Sequence, residues 1–484
     1  MEVKDRSRAG LWITVGILLL IFAVRLIGID RFPIFIDETI HIHTQEQILE
    51  TSPLIGSEIG RMGTVWWLFL FQPHRGDAIW IARTAVLIAV LPGIAALMAL
   101  GRMASGNWGL LFVGLFALFS TYHYFFDRMA LADPVAGSLV MIAIFFSYRL
   151  RYRVYWQDAA LCGFTLFLAI VAKINVLPYL GIPLAAVVGF RHLHEYRHLL
   201  KWLSISLASL LIPTVILDRF LVFTGHSWLF AALSYIESRS GGNTDFGSRI
   251  IGNAADTMRM VSGYMHPVVF ALLCLGMIAA LFQRRWYWLL VFFAPLLSLW
   301  IGEPQETRYW IVPVALLGLI GSVVLADAVR NRPVFIRSMA LLFMLLWGGL
   351  NWLPFIILAN RSPADLNLPQ VDRRQYILSD AVGFGFEQIP DLIPAHEQVL
   401  GILANCQGLR YTFLAEYDVR CTQINPNGED ISTIIEWVEI NRPLRSYAVL
   451  EDSAYLPDSI EGEIIGRIER PGGRATLTIY HVTP

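Results

Sequence analysis

The chain has 484 residues, 56% of them hydrophobic and 15% charged, where an ordinary soluble protein carries charge on about a quarter of its residues; a conventional soluble domain is excluded and a polytopic protein of the lipid bilayer is indicated. The net charge of -1 lacks the basic footprint of a nucleic-acid binder, so nucleic acid is excluded as a partner. The four cysteines include no CxxC pair.

A bilayer core takes about 20 apolar residues per helix, and the hydropathy pattern predicts eleven spans, over 11–29, 79–100, 108–126, 134–148, 159–172, 176–190, 202–223, 267–282, 286–302, 310–326 and 338–359. The basic residues ahead of the first span are followed by no cleavage pattern, so it is read as a retained anchor. With the N-terminus in the cytoplasm, every inner loop is basic, as the positive-inside rule requires. Eleven spans then leave the C-terminus outside. The loop over 225–266 is long enough to be a lid or a connector, and HSWLFAALSYI within it reads as an interfacial helix anchored by Trp228 and Tyr235.

The composition changes after residue 359. Residues 1–359 are expected to form an all-α membrane domain, and residues 360–484 a small extracytoplasmic α/β domain. Its strands are expected over 399–403, 446–450, 463–468 and 475–482, with a helix over 430–441 and an ordinary turn at GFGF (383–386). Cys406 and Cys421 lie in this domain and can pair if it faces an oxidising compartment; Cys162 and Cys274 lie in apolar segments.

A charge at the bilayer centre costs about 2.5–3.5 kcal/mol on insertion scales, so its placement is informative. The middles of the spans are nearly bare, and charge collects at outer ends, at Arg25, Arg83, Lys173, Asp218 and Arg219. The outer loops add Asp37 and Glu38, then Asp127, Arg128 and Asp133, then Glu303, Glu306 and Arg308. All emerge on one predicted face, which suggests a polar cavity at the lipid boundary. A transporter or flippase of a lipid-linked glycan is the alternative; it calls for ionisable groups or broken helices at mid-membrane. An assembly protein, the third reading, leaves the loop charges without a role.

The segments IDETIHIHTQEQ (36–47), FDRMALADPVAG (126–137), VAKINVLPYLGIP (171–183) and EPQETRYWIVPVA (303–315) resemble the signature segments of the GT-C membrane glycosyltransferases, in the branch of protein O-mannosyltransferases and aminoarabinose transferases. DRRQY (372–376) followed by GFG resembles the tails of bacterial members. The resemblance implies the GT-C fold and transfer of a sugar, hexose or pentose, from a polyprenyl-monophosphate donor to an acceptor hydroxyl on protein, lipid or polysaccharide at the outer face. On the same basis Asp37 corresponds to the base, with Glu38 its neighbour and Asp133 the acid of the second motif. Arg308 and Tyr309 match the family's Arg-Tyr pair, and Arg83 the Arg of its second helix.

General chemistry accords with these roles. A positioned carboxylate that takes the proton of an attacking hydroxyl contributes about 10²–10⁴-fold, and a fixed cation stabilises the departing phosphate. Arginine suits that task because its planar fork meets two oxygens; Arg308 is the first candidate, Lys173 and Arg83 the next. A single displacement inverts the anomeric centre. No cofactor is required; a divalent metal held by Asp37, Glu38, His41 and His43 is conceivable but not favoured, since their spacing is not diagnostic.

Overall fold

The computed structural model describes residues 8–50, 59–152, 155–186, 196–222, 227–239, 246–301, 306–421, 446–451, 456, 461–473 and 476–482. In chain order the helices are α1 (Arg8–Leu26), α2 (Ile36–Glu50), α3 (Met62–Phe69), α4 (Ala78–Phe119), α5 (Thr121–Phe126), α6 (Ala132–Leu150), α7 (Trp156–Ala172), α8 (Ile182–Ala185), α9 (Tyr196–Val222), α10 (Trp228–Arg239), α11 (Phe246–Gly263), α12 (Pro267–Phe282), α13 (Trp286–Ile301), α14 (Ile311–Arg330), α15 (Val334–Trp347), α16 (Leu353–Arg361), α17 (Gln370–Tyr376) and α18 (Cys406–Thr412). The strands are β1 (Gln398–Ile402), β2 (Asp418–Cys421), β3 (Ser446–Glu451), β4 (Gly462–Glu469) and β5 (Thr476–Val482). Two compact units result, one from Met1–Ile27, Ser52–Trp67 and Thr84–Ile357, the other from Gly28–Thr51, Leu68–Arg83 and Leu358–Pro484.

The first unit is helical. Among the described residues five helical stretches are long and apolar enough to cross a membrane, Ala78–Phe119, Ala132–Leu150, Leu200–Val222, Thr307–Arg330 and Val334–Arg361, and shorter apolar helices accompany them. Leu207, Ile212 and Ile216 of α9 face outward, as a hydrocarbon solvent allows. The two spans expected over 79–100 and 108–126 are two arms of α4 that meet at non-helical Ser105 and Gly106. A Cβ at Gly101 would lie 2.7 Å from the Gly109 carbonyl oxygen. In a straight helix these residues would be about 12 Å apart, so the chain doubles back, and two glycines let the arms touch. The second arm ends at Phe119, where the Ser120 side chain caps α5.

The span expected over 176–190 differs from expectation. Residues Ile174–Gly181 form a 3₁₀ helix and α8 follows, while 187–190 lie outside the described residues. Pro178 is the physical reason: it lacks an N–H and biases Leu177 away from the α region. Beside this break α7 packs against α6 and α9, and Ser206 of α9 donates a 2.8 Å hydrogen bond to the Ala159 carbonyl.

The second unit holds a five-stranded sheet of order β2-β1-β3-β5-β4. β1 runs parallel to β2 and β3, and β5 antiparallel to β3 and β4. Leu400, Ile402, Ala448, Leu450 and Val482 form a buried cluster, and every residue of central β3 is buried, as a strand covered on both faces must be. The four expected strands are present within a residue or so at each end. β2 was not expected: it is four residues long with one fully buried position. The helix expected over 430–441 lies outside the described residues. Cys406 and Cys421 form a disulfide.

Candidate active site

In the first unit the broken end of α7 builds a charged cluster. Lys173 caps α7 in an extended conformation, φ -159° and ψ 126°, and the turn that follows brings Lys173 and Asn175 to one carboxylate. Lys173 Nζ donates to Asp133 Oδ2 at 2.6 Å, and Asn175 Nδ2 lies 3.4 Å from Oδ1. Asp133 stands in the first turn of α6, where the helix dipole favours an anion. Arg308 comes from the turn Thr307–Trp310 that leads into α14; its Nε lies 3.9 Å from Asp133 Oδ2 and it pairs with Glu306. The turn is held by buried Trp310 and by the Tyr122 hydroxyl, which donates to the Thr307 carbonyl at 2.6 Å.

The Tyr309 ring centroid lies 4.7 Å from the Lys173 ammonium and 5.7 Å from the Arg308 guanidinium carbon. Asp133, Lys173 and Arg308 are 6%, 5% and 4% exposed, so their attractions are screened far less than surface pairs. Sequence reasoning missed Arg61, whose charge acts on Lys173. It is brought there by its neighbours: the Thr64 hydroxyl donates to the Ala172 carbonyl at 3.0 Å, and a Cβ on Gly63 would sit 2.8 Å from the Ala172 nitrogen. Only glycine permits that approach. Asn175, inside a quoted motif, was also missed.

The neighbouring loop charges serve other ends. Asp127 pairs with buried Arg25, and Arg128 bonds the Tyr124 hydroxyl and the Ile27 carbonyl. Asp218 accepts from the Ser227 hydroxyl at 2.9 Å and from the Leu229 N–H at 3.0 Å, capping α10. Glu303 lies outside the described residues.

In the second unit Asp37 and Glu38 occupy the first turn of α2. Glu38 is buried and Asp37 half-buried. Glu38 reaches back to the Phe35 N–H at 2.9 Å, one half of a capping box. Arg83 gives Nε–H to Glu38 Oε1 at 2.8 Å and Nη2–H to Oε2 at 2.7 Å, and its other donors go to the Ile29, Phe32 and Pro33 carbonyls. Arg83 thus has five contacts for the five donors a guanidinium carries, three in the loop before α2 and two in the first turn of α2. His41 and Thr44 are buried, and the His43 side chain is 31% exposed. Among the described residues no group of three His, Cys, Asp or Glu side chains is arranged to hold a metal ion.

The segments DRRQY and GFGF help seat α2. The Phe35 ring packs at 4.8 Å against the Tyr376 ring, tilted by 56°, Phe35 bridges to Val382, and the Gly383 N–H donates to the Ile34 carbonyl at 2.9 Å. Gly385 takes φ +89°, so GFGF is a turn, and it is also a docking edge.

No protein-family model and no curated protein matches the chain. Solved structures of ArnT from Cupriavidus metallidurans do: one bound to undecaprenyl phosphate, at TM-score 0.61 and 13% identity, and one in the apo state, at 0.58 and 15%, each covering 98% of this chain and 98% of the other. The fold is ArnT-like. It is the GT-C architecture that the four quoted segments suggested. At such identities the likeness is one of fold, and the chemistry rests on the side chains that the ArnT-like fold presents.

Proposed function

We propose that this chain is a membrane glycosyltransferase that moves a sugar from a polyprenyl-phosphate donor to an acceptor hydroxyl. The observation that carries the reading is the buried cluster of Lys173, Arg308 and Asp133 in a membrane-type unit. Cations buried at such cost are kept for an anion that itself sits at the lipid boundary. Lys173 gives one of its three N–H donors to Asp133, and the acid holds both cations in place. Arg308 and Lys173 then receive the donor phosphate and stabilise its charge as the glycosidic bond breaks, with Tyr309 as their aromatic support. The ArnT neighbour bound to undecaprenyl phosphate supports a lipid of that class.

Asp37 is proposed as the base that takes the acceptor proton. It has the half-buried position such a group needs, whereas Glu38 and Arg83 form the scaffold beneath it. A single displacement inverts the sugar. The basic loops support a cytoplasmic N-terminus, and the Cys406–Cys421 disulfide supports an oxidising, extracytoplasmic setting for the C-terminal domain.

The test is release of undecaprenyl phosphate, followed by mass, from undecaprenyl-phosphate-linked hexoses and pentoses incubated with the purified full chain and a cell-envelope extract as acceptor source. Asp37→Asn should lower turnover by about 10²–10⁴-fold without changing the unfolding temperature. Undiminished turnover in that variant removes Asp37 from its role; no release from any donor removes the transferase reading.

A further inference from the structure

Asn405 is 1% exposed and joins three stretches of chain that are remote in sequence. Its Nδ2 donates to the Ile34 carbonyl and to the Ala381 carbonyl, each at 3.0 Å, and its Oδ1 accepts the Gly408 N–H at 3.2 Å, which caps α18. The Thr39 hydroxyl lies 3.4 Å from the same oxygen. Ile34 and Thr39 flank Asp37. Around them the Ile36 N–H donates to Ala381 at 2.8 Å, so the backbone that enters α2 is bonded on both sides to the C-terminal domain.

Asn405 is itself held from both directions. The N–H of Ala404 before it donates to Glu451 Oε2 at 3.0 Å, at the end of β3. Cys406 after it is bonded to Cys421 at the end of β2. Farther along α18, Arg410 grips Glu46 of α2 with two hydrogen bonds of 3.1 and 2.9 Å, and the Tyr411 hydroxyl adds a third at 2.5 Å. α18 therefore lies along α2 and holds it at both ends. A buried carboxamide with both N–H groups spent on carbonyls is expensive to replace, and this one fixes the last residues before the acid.

We propose that Asn405 is a positioning residue for the reaction: through Ile34 and Ala381 it sets the entry of α2, and so the placement of Asp37, which makes the C-terminal domain part of the catalytic unit. The inference rests on the reading of Asp37 as the base. The cluster of Lys173 and Arg308 belongs to the first unit and Asn405 to the second, so the two functions should separate in kinetics.

The test uses the full-length protein in the undecaprenyl phosphate release assay, with amide hydrogen exchange as a second readout. Asn405→Ser keeps an oxygen that can cap α18 but cannot reach Ile34 or Ala381; Asn405→Asp keeps the shape and sets an oxyanion against both carbonyls. Both should lower kcat by about 10- to 100-fold, the size of a small misplacement at a reacting group, with donor KM changed less than threefold. Exchange should rise over 34–40 and stay unchanged in β1 and β3. Activity of Asn405→Asp relative to the parent should partly recover in mild acid, where the protonated carboxyl donates again. Unchanged kcat and exchange in Asn405→Ser, while Asp37→Asn is inactive, overturns the inference and leaves the base assignment standing. Exchange rising throughout the sheet, with kcat and KM lost together, also overturns it, by reducing Asn405 to a stability residue. Should Asp37→Asn retain turnover, the base assignment falls, and exchange over 34–40 alone decides whether Asn405 orders α2.

Discussion

Replacing Arg83 by lysine separates a scaffold from a ligand site. The guanidinium makes five hydrogen bonds, two to Glu38 and three to the Ile29, Phe32 and Pro33 carbonyls, at 2.6 to 3.2 Å. An ammonium has three donors, so at least two acceptors lose their partner. Each buried acceptor left unsatisfied costs about 1–3 kcal/mol, for a total of about 2–6 kcal/mol, a large part of the roughly 5–15 kcal/mol that holds a folded protein. Arg83→Lys should therefore be recovered in low yield and unfold at a distinctly lower temperature in detergent, as followed by tryptophan fluorescence. Arg83→Met should be worse, since stranding one charge of a buried pair costs about 3–5 kcal/mol and the three carbonyls lose their donor as well. Glu38→Met in the same chain should return part of that loss, because the two sites are coupled. Donor KM of the surviving Arg83→Lys protein should match the parent. An unaltered unfolding temperature with a donor KM raised tenfold or more would refute this reasoning and make Arg83 a phosphate ligand.

Arg308→Lys should lower kcat for undecaprenyl phosphate release by about 10²–10³-fold, because a point charge cannot meet two oxygens as the planar fork does; parental kcat would exclude Arg308 from the phosphate site. The hydrogen bond from His43, then that of Tyr411 and the charge and hydrogen bond of Arg410, hold Glu46 at about 2, down from 4.5. The stability it contributes is complete above about pH 4.5 and is lost as the pH falls toward about 2, so melting in acid should be steeper for the parent than for Glu46→Gln. Cys406 and Cys421 close a loop with a sequence separation of 15, worth about 3 kcal/mol in a chain-entropy account. Reduction, or the double serine variant, should lower the unfolding temperature; an unchanged temperature on complete reduction would argue against the pairing.

How much of this was legible depended on whether the signal was local. Membrane helices announce themselves through long apolar runs, and β1, β3, β4 and β5 through short apolar stretches. The region over 176–190 has an equally apolar composition, but Asn175 and Pro178 decide its backbone, and hydropathy does not weigh them. Asp133, Lys173 and Arg308 stood out because charge beside apolar spans is costly, and the fold does bring those three together. Glu38 and Arg83 stood out for the same reason, yet sequence could not show that a carboxylate and a guanidinium 45 positions apart are each other's partners. Arg61 lies outside every quoted motif. Asn405 was silent altogether, since an asparagine before a short helix looks like any cap, and its distinction lies in two carbonyls, 24 and 371 residues upstream.

That separation bears on how the protein is made. Asn405 bonds to Ile34 across 371 residues and Thr39 lies across 366, so α2 leaves the ribosome long before the pieces that seat it exist. At about 5–20 residues per second, the acidic turn waits roughly 20 to 70 seconds for its support, and a chain that stops before Asn405 never receives it. Termination before Asn405 should yield protein that inserts into membranes yet stays catalytically silent, and the acidic turn is expected to be seated only once Asn405 has been made.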